Sequence, residues 1–177
     1  WKGKIVLGDP TVSGGAQATM QSTLVIMGED YIKQLAGQIG ISTRDKRLVV
    51  EWVAREKYPI GFGAGTSEVT EFINSGAPVR MVAFKEGHGT TASGVVVLFD
   101  YAPNPNVARL FINWFLTKEA QQAYSIASGK MSRRLDVSSE HLQEAQRVKP
   151  GVKYVINDEE YYLNKPKLDE VVAKYYR

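Results

Sequence analysis

An α/β fold, with a mixed sheet flanked by helices, is predicted on three observations. A strand–small-residue turn–helix unit occurs twice, with its turns at Asp9–Gly15 and Gly63–Ser67. Apolar residues switch between short β-type runs such as Ile5-Val6-Leu7 and helical spacing such as Ala16, Met20, Leu24, Met27 and Tyr31. The 177 residues are 44% hydrophobic and 23% charged, a balance that supports a globular core. Strands alternating with helices imply crossover connections, and hence a parallel or mixed sheet.

The elements follow in chain order. Ile5–Leu7 is the first strand, and Gly8-Asp9-Pro10-Thr11-Val12-Ser13-Gly14-Gly15 turns it into a helix that stops at Gly28-Glu29-Asp30. Tyr31, Ile32, Leu35 and Ile39 mark a short second helix. Ser42-x-x-Asp45 resembles a capping box ahead of a third, with Leu48, Val49, Trp52 and Val53 on one face. Tyr58–Gly63 is a strand too rich in glycine to be bulky, so a neighbour packs close to its backbone. Ala64-Gly65-Thr66-Ser67 is the second small turn, and Glu68, Val69, Phe72 and Ile73 begin a helix stopped by Gly76. Pro78–Phe84 reads as an extended strand, and Ser93–Phe99 as a second, apolar one. Asn104-Pro105 starts a helix, a polar cap followed by a proline that needs no N–H donor. Its core face is Val107, Ala108, Phe111, Ile112 and Phe115. Thr117 caps the next helix, which carries Ala120, Tyr124 and Ala127 and ends at Gly129. The tail holds a short helix after Ser138-Ser139 and an amphipathic one through Leu168, Val171, Val172 and Tyr175.

Composition excludes several functions. The net charge of +3 is spread along the chain. Its densest basic cluster, Arg44-Asp45-Lys46-Arg47, contains an acid and reads as a solvated helix start, not as the basic stripe of a nucleic-acid binder. Absence of cysteine removes disulfides, thiolate metal sites and cysteine nucleophiles. The apolar run Val95–Phe99 falls far short of the ~18 residues of a membrane span. Two scattered histidines and no paired acids near the glycine turns leave no nucleophile with its base, so no enzyme and no cofactor are expected.

The two glycine turns are the candidate site. At a helix's first turn the backbone N–H groups lack intrahelical partners and the dipole is positive. Ser13, Gly14 and Gly15 at one terminus, and Gly65, Thr66 and Ser67 at the other, are therefore assigned as ligand-binding residues for an anion. The plainer alternative makes Ser13 a helix cap and the glycines mere turn formers. His88 reads as a surface loop histidine, His141 as exposed, and Trp52 and Trp114 as core. Tyr161-Tyr162 and Tyr175-Tyr176 read as helix-packing residues with hydroxyls at the surface. Hard metal ions need several convergent oxygen ligands, and no such set assembles; no metal site is assigned.

Further pieces carry a family resemblance. They are Trp1-Lys2-Gly3-Lys4-Ile5 with Asp9-Pro10 and Ser13-Gly14, Tyr58-Pro59-Ile60-Gly61, Gly76-Ala77-Pro78-Val79 and Glu86-Gly87. Ala102-Pro103-Asn104-Pro105, Phe111 through Leu116, Ala120-Gln121, and Arg134 with Asp136 complete them. In number, order and spacing they resemble the extracellular solute-binding proteins of ABC importers, of the type II periplasmic-binding-protein fold. The likeness is to the branch that binds ferric iron or organic anions, and to the second half of a typical member.

That resemblance implies two lobes about a ligand cleft. Residues 1–80 would be the second lobe, nearly complete, with the cleft's strand–turn–helix units. Residues 81–177 would hold the hinge strand and the C-terminal part of the first lobe, whose opening half is missing. It implies a small-molecule ligand, an ABC permease in the membrane as partner, no nucleic acid, and a periplasmic or extracellular location, with a lipid anchor open to the full-length parent. The truncated chain is expected to self-associate, because the helices after Asn104 carry broad apolar faces. The expected function is capture of a small anionic organic solute between the lobes. One alternative is a ferric-iron-binding member. Such relatives use tyrosines in the loop after the strand equivalent to Ile60–Gly63, where this chain has Ala64-Gly65-Thr66-Ser67 and no phenol. The other is the effector-sensing domain of a cytoplasmic transcription regulator, which Ala102–Pro105 and Ala120-Gln121 disfavour.

Overall fold

In a computed structural model of the chain, which describes residues 1–90, 96–156 and 158–176, the N-terminal apolar run is the middle strand of a parallel sheet. Strand β1 (Ile5–Gly8) pairs with β2 (Ile39–Thr43) on one side and β3 (Ile60–Phe62) on the other, in the order β2-β1-β3. All four residues of β1 are buried, as in a central parallel strand covered on both faces. By alternation Ile5 and Leu7 share one face and Val6 takes the other. Ile5 and Leu7 enter a core with Met20 of α1 (Gly15–Met27), Ile32 and Leu35 of α2 (Glu29–Ala36), Phe62 and Val172.

On the opposite side α3 (Lys46–Ala54) packs against all three strands and against α4 (Thr66–Asn74). Gly61 makes this possible. A Cβ there would lie 3.1 Å from Val49 Cγ1 and 3.0 Å from Val53 Cγ2, so the flat strand is what admits α3. The expectation of a close neighbour at this glycine is met.

Several elements differ from the sequence reading. Ile39 belongs to β2, not to the second helix, which ends at Ala36. Asp45, not Ser42, caps α3: its carboxylate accepts from the N–H groups of Arg47 (2.8 Å) and Leu48 (3.2 Å). Pro78–Phe84 forms no ladder among the described residues, although the Phe84 ring lies 5.9 Å from that of Phe62. Of the expected strand Ser93–Phe99, residues 93–95 lie outside the described residues. Val96–Phe99 is exposed and outside any strand. A second parallel pair joins β4 (His88–Thr90) to β5 (Tyr154–Ile156).

Packing separates the chain into two units, Trp1–Ala92 with Val148–Arg177, and Ser93–Arg147. The C-terminal helix α7 (Glu159–Tyr175) packs on α1 and α2 within the first unit. Val172 is 1% exposed in the core. A polar network locks the helix in place. Gln17 donates to Asp169 Oδ1 at 2.8 Å, Gln21 donates to the same oxygen, and the Tyr161 hydroxyl donates to Gln21. Lys165 closes the set on Asp169 Oδ2 at 2.7 Å. Gln21 is 1% exposed, so an unpartnered amide there would cost about 1–3 kcal/mol; the network fixes where α7 sits.

The second unit contains α5 (Pro105–Phe115) and α6 (Lys118–Ser128), followed by a single 3-10 turn at Glu144–Gln146. Thr117 caps α6 by accepting from Ala120 N–H at 3.3 Å, and Gly129 ends it at φ 64°. Arg134 pairs with Asp136 at 2.8 Å and donates to Leu116 O at 2.9 Å, a structural tie. His141 is exposed but not idle: its Nε2 lies 2.9 Å from the hydroxyl of fully buried Ser125. Ser125 donates its own proton to Lys130 O at 2.5 Å, so the pair anchors a loop and is not a nucleophile with its base.

Candidate functional site

All three strands of the main sheet run into helices at the same edge: β1 into α1, β2 into α3 and β3 into α4. From β1 the chain goes first to a strand on one side and then to one on the other. In open α/β sheets ligands sit outside the carboxyl ends of the strands at such a switch point.

The first turn is fastened to the end of β2. Asp9 N–H donates to Thr43 O at 2.8 Å. The Asp9 carboxylate accepts from Thr11 N–H at 2.9 Å and Thr11 Oγ1 at 2.6 Å, and Arg44 Nε reaches it at 3.1 Å. Chiefly through the Thr11 hydroxyl, with Arg44 assisting, the Asp9 carboxyl is held below its ordinary value of 3.8. It is therefore ionised at neutral pH. The stability from this lowered pKa is present above the ordinary carboxylate range and disappears as pH falls through the folded-state value. Thr11→Val is expected to move the Asp9 titration upward, and an NMR titration of that carboxyl checks it; an unmoved midpoint contradicts the arrangement.

The turn then opens α1 without a cap. Gly14 is the N-cap at φ 153°, and no side chain accepts from the first-turn N–H groups. The first helical bond is Ala18 N–H to Gly14 O at 3.0 Å, which leaves Gly15, Ala16 and Gln17 without intrahelical acceptors. Ser13 is exposed and does not cap, so the plainer alternative for it is not what the structure contains.

Ser13, Gly14 and Gly15 line a pocket of about 40 Å³ with Gly8, Asp9, Thr43, Arg44 and Lys46. Lys46, the first residue of α3, brings its Nζ to 3.7 Å from where a Cβ on Gly14 would stand. Arg44 is balanced by Asp9, and Lys46 is left as the net positive charge in the pocket that Gly15 and Ala16 also line. Chemically the pocket can hold one small oxyanion.

Gly63 ties the second turn to the first. At φ +74° its Cβ would lie 2.9 Å from both Cα and Cβ of Ala16, and a Cβ on Gly8 would lie 2.9 Å from Ala16 Cβ. These two glycines let the ends of β1 and β3 touch the start of α1. Gly65, Thr66 and Ser67 do not line the pocket. Gly65 is the N-cap of α4, Thr66 and Ser67 are its first turn, and the Glu68 carboxylate folds over Gly65, where a Cβ would collide with it. The α4 terminus thus already faces a negative charge of its own.

Sequence reading missed Arg44, Lys46 and Glu68. The signal for the first two lay in Ile39-Gly40-Ile41-Ser42-Thr43, whose alternating β-branched residues mark a strand and so a third strand–helix edge. A larger cavity of about 400 Å³ lies between α1, β5 and α7, lined by Val25, Ile156, Leu168 and others. Two of its polar groups are engaged elsewhere: Tyr161 OH in the α1–α7 network and Asp158 as the cap of α7. Tyr161 is 7% exposed, and burial raises its pKa, as befits a packing residue.

No protein-family model matches the chain. An uncharacterised protein of Haemophilus influenzae is 31% identical over 125 residues, which are 68% of this chain and 36% of that protein. In three dimensions the chain is similar to the periplasmic binding protein AfuA from Actinobacillus pleuropneumoniae, solved with exogenous fructose-6-phosphate bound. The TM-score is 0.67 at 21% identity, over 98% of this chain and 55% of that one. The fold is thus α/β and like that of a periplasmic binding protein. The chain spans about a third of the curated relative and about half of the solved one. No helix among the described residues is long and apolar enough to cross a membrane.

Proposed function

We propose that this chain forms part of the solute-binding component of an ABC importer and captures a small anionic organic solute in the periplasm for delivery to a membrane permease. The observation that carries the reading is the uncapped start of α1, whose first residues Gly15 and Ala16 line the same pocket as Lys46. Ser13, Gly14 and Gly15 hold the anionic group, with Lys46 as its counter-charge. Gly65, Thr66 and Ser67 form the neighbouring wall and engage the solute once Glu68 turns away from Gly65. Residues 1–80 supply one wall of a cleft between two lobes. The solute bound to AfuA, a sugar phosphate, belongs to the class this pocket suits. Each hydrogen bond to a charged group contributes about 1.5–3 kcal/mol, and the helix terminus about 0.3–1 kcal/mol more.

A thermal-shift screen against sugar phosphates, carboxylates, phosphonates and ferric iron tests the reading. Stabilisation by an anionic compound that is lost in Ser13→Ala or Lys46→Ala supports it. Stabilisation by iron alone, or a hit indifferent to both substitutions, contradicts it.

A further inference from the structure

We propose that the cavity between α1, β5 and α7 binds a short peptide with free termini and apolar side chains. Its floor is apolar, formed by Val25, Val155, Ile156 and Leu168. Val25 and Ile156 are 45% and 56% exposed, so the protein itself does not fill it. The volume of about 400 Å³ lies within the range of small-molecule pockets. The wall supplied by α7 is polar. Glu160, Asn164 and Lys167 fall at i, i+4 and i+7, one line along the helix, and all three face the cavity. Among the described residues neither the Glu160 carboxylate nor the Lys167 ammonium has a hydrogen-bond or ion-pair partner, whereas Lys165 is taken up by Asp169 at 2.7 Å. Asn164 donates its amide N–H to Glu160 O at 3.0 Å, which leaves its side-chain oxygen as an acceptor.

Charge order and length select the occupant. Negative charge stands at the Glu160 end, where Asp158 adds to it, and positive charge at Lys167. Seven residues of helix separate the two, about 10 Å at 1.5 Å per residue. A ligand of one sign meets a like charge at one end, which disfavours it. A single amino acid carries both charges but too close together to reach both ends. An extended tripeptide spans about 10 Å at ~3.3 Å per residue. Its ammonium meets Glu160, its carboxylate meets Lys167, and the Asn164 oxygen accepts a peptide N–H between them. In an extended backbone the first and third side chains share one face, which rests on the floor. Val25 lies about 15 Å along α1 from Gly15, so this site and the anion pocket are tested separately.

Calorimetric titration of the full chain with the tripeptide leucyl-alanyl-leucine tests the proposal. The expected result is saturable binding that N-acetylation or C-amidation of the peptide each weakens by roughly 3–10-fold. Glu160→Gln is expected to weaken the free tripeptide by a similar factor and to leave the acetylated one unchanged. Lys167→Gln should do the same for the amidated one. Both side chains are exposed, and circular dichroism confirms that the variants fold. Absence of saturable binding overturns the proposal. So does binding indifferent to both end groups, equal binding of free leucine, or losses in the variants that do not track the matching terminus.

Discussion

Replacing Gly63 by valine is expected to destabilise the chain by about 2–5 kcal/mol and to disorganise the pocket at the start of α1. Two costs add. A β-branched residue must hold φ +74°, and its Cβ must stand 2.9 Å from both Cα and Cβ of Ala16. Both contacts lie at the fixed N-terminus of a buried helix, so neither can relax without moving α1. Gly3 separates the two costs, because it has nearly the same φ, +73°, with nothing within 4 Å of an added Cβ. Gly3→Val should therefore cost only the backbone share, about 1–2 kcal/mol. Urea unfolding of both variants checks this. Equal losses at the two positions would mean that the ends of β1 and β3 do not press on α1.

Reversing the charge of Lys46 is expected to reduce the affinity for inorganic phosphate by roughly 10–100-fold or more, with little effect on stability. Lys46 is exposed and has no carboxylate paired to it among the described residues, so the fold loses nothing when it changes. The anion loses its counter-charge and meets a second carboxylate beside Asp9. Glu68→Gln should act in the opposite direction, because it removes the negative charge now resting on the α4 terminus. Calorimetric titrations at low salt read both effects, and the contrast between them should shrink as salt rises. If Lys46→Glu binds phosphate as well as wild type, the ion is held elsewhere.

The parts of the fold that were legible are those in which local chemistry and periodicity agree. Pro105, Thr117 and Gly129 bound their helices as expected, although the Asn104 side chain makes no cap hydrogen bond, and the flat Gly61 marked the approach of α3. Ile39 was illegible because it fits both periods: it continues the spacing of Ile32 and Leu35 and also alternates with Ile41 and Thr43. Pro166 hid the first half of α7, since a proline inside a helical pattern reads as a boundary, and the helix runs through it. Pro78–Phe84 has strand-like residues, but a ladder needs a partner, which local sequence does not reveal. The site divides in the same way. Ser13, Gly14 and Gly15 mark a helix start in the sequence, and that Ser13 does not cap it is visible only in the structure. Lys46 enters only because β2 pairs beside β1, and Glu68 only through its side-chain conformation.

The most direct measurement is a phosphate titration followed by the backbone amide resonances of Gly15, Ala16 and Gln17. Anion capture at the start of α1 predicts that these three N–H signals move together and saturate, and that Lys46→Ala abolishes the movement. Saturable phosphate binding that leaves those amides unmoved, or no binding at all, would contradict it.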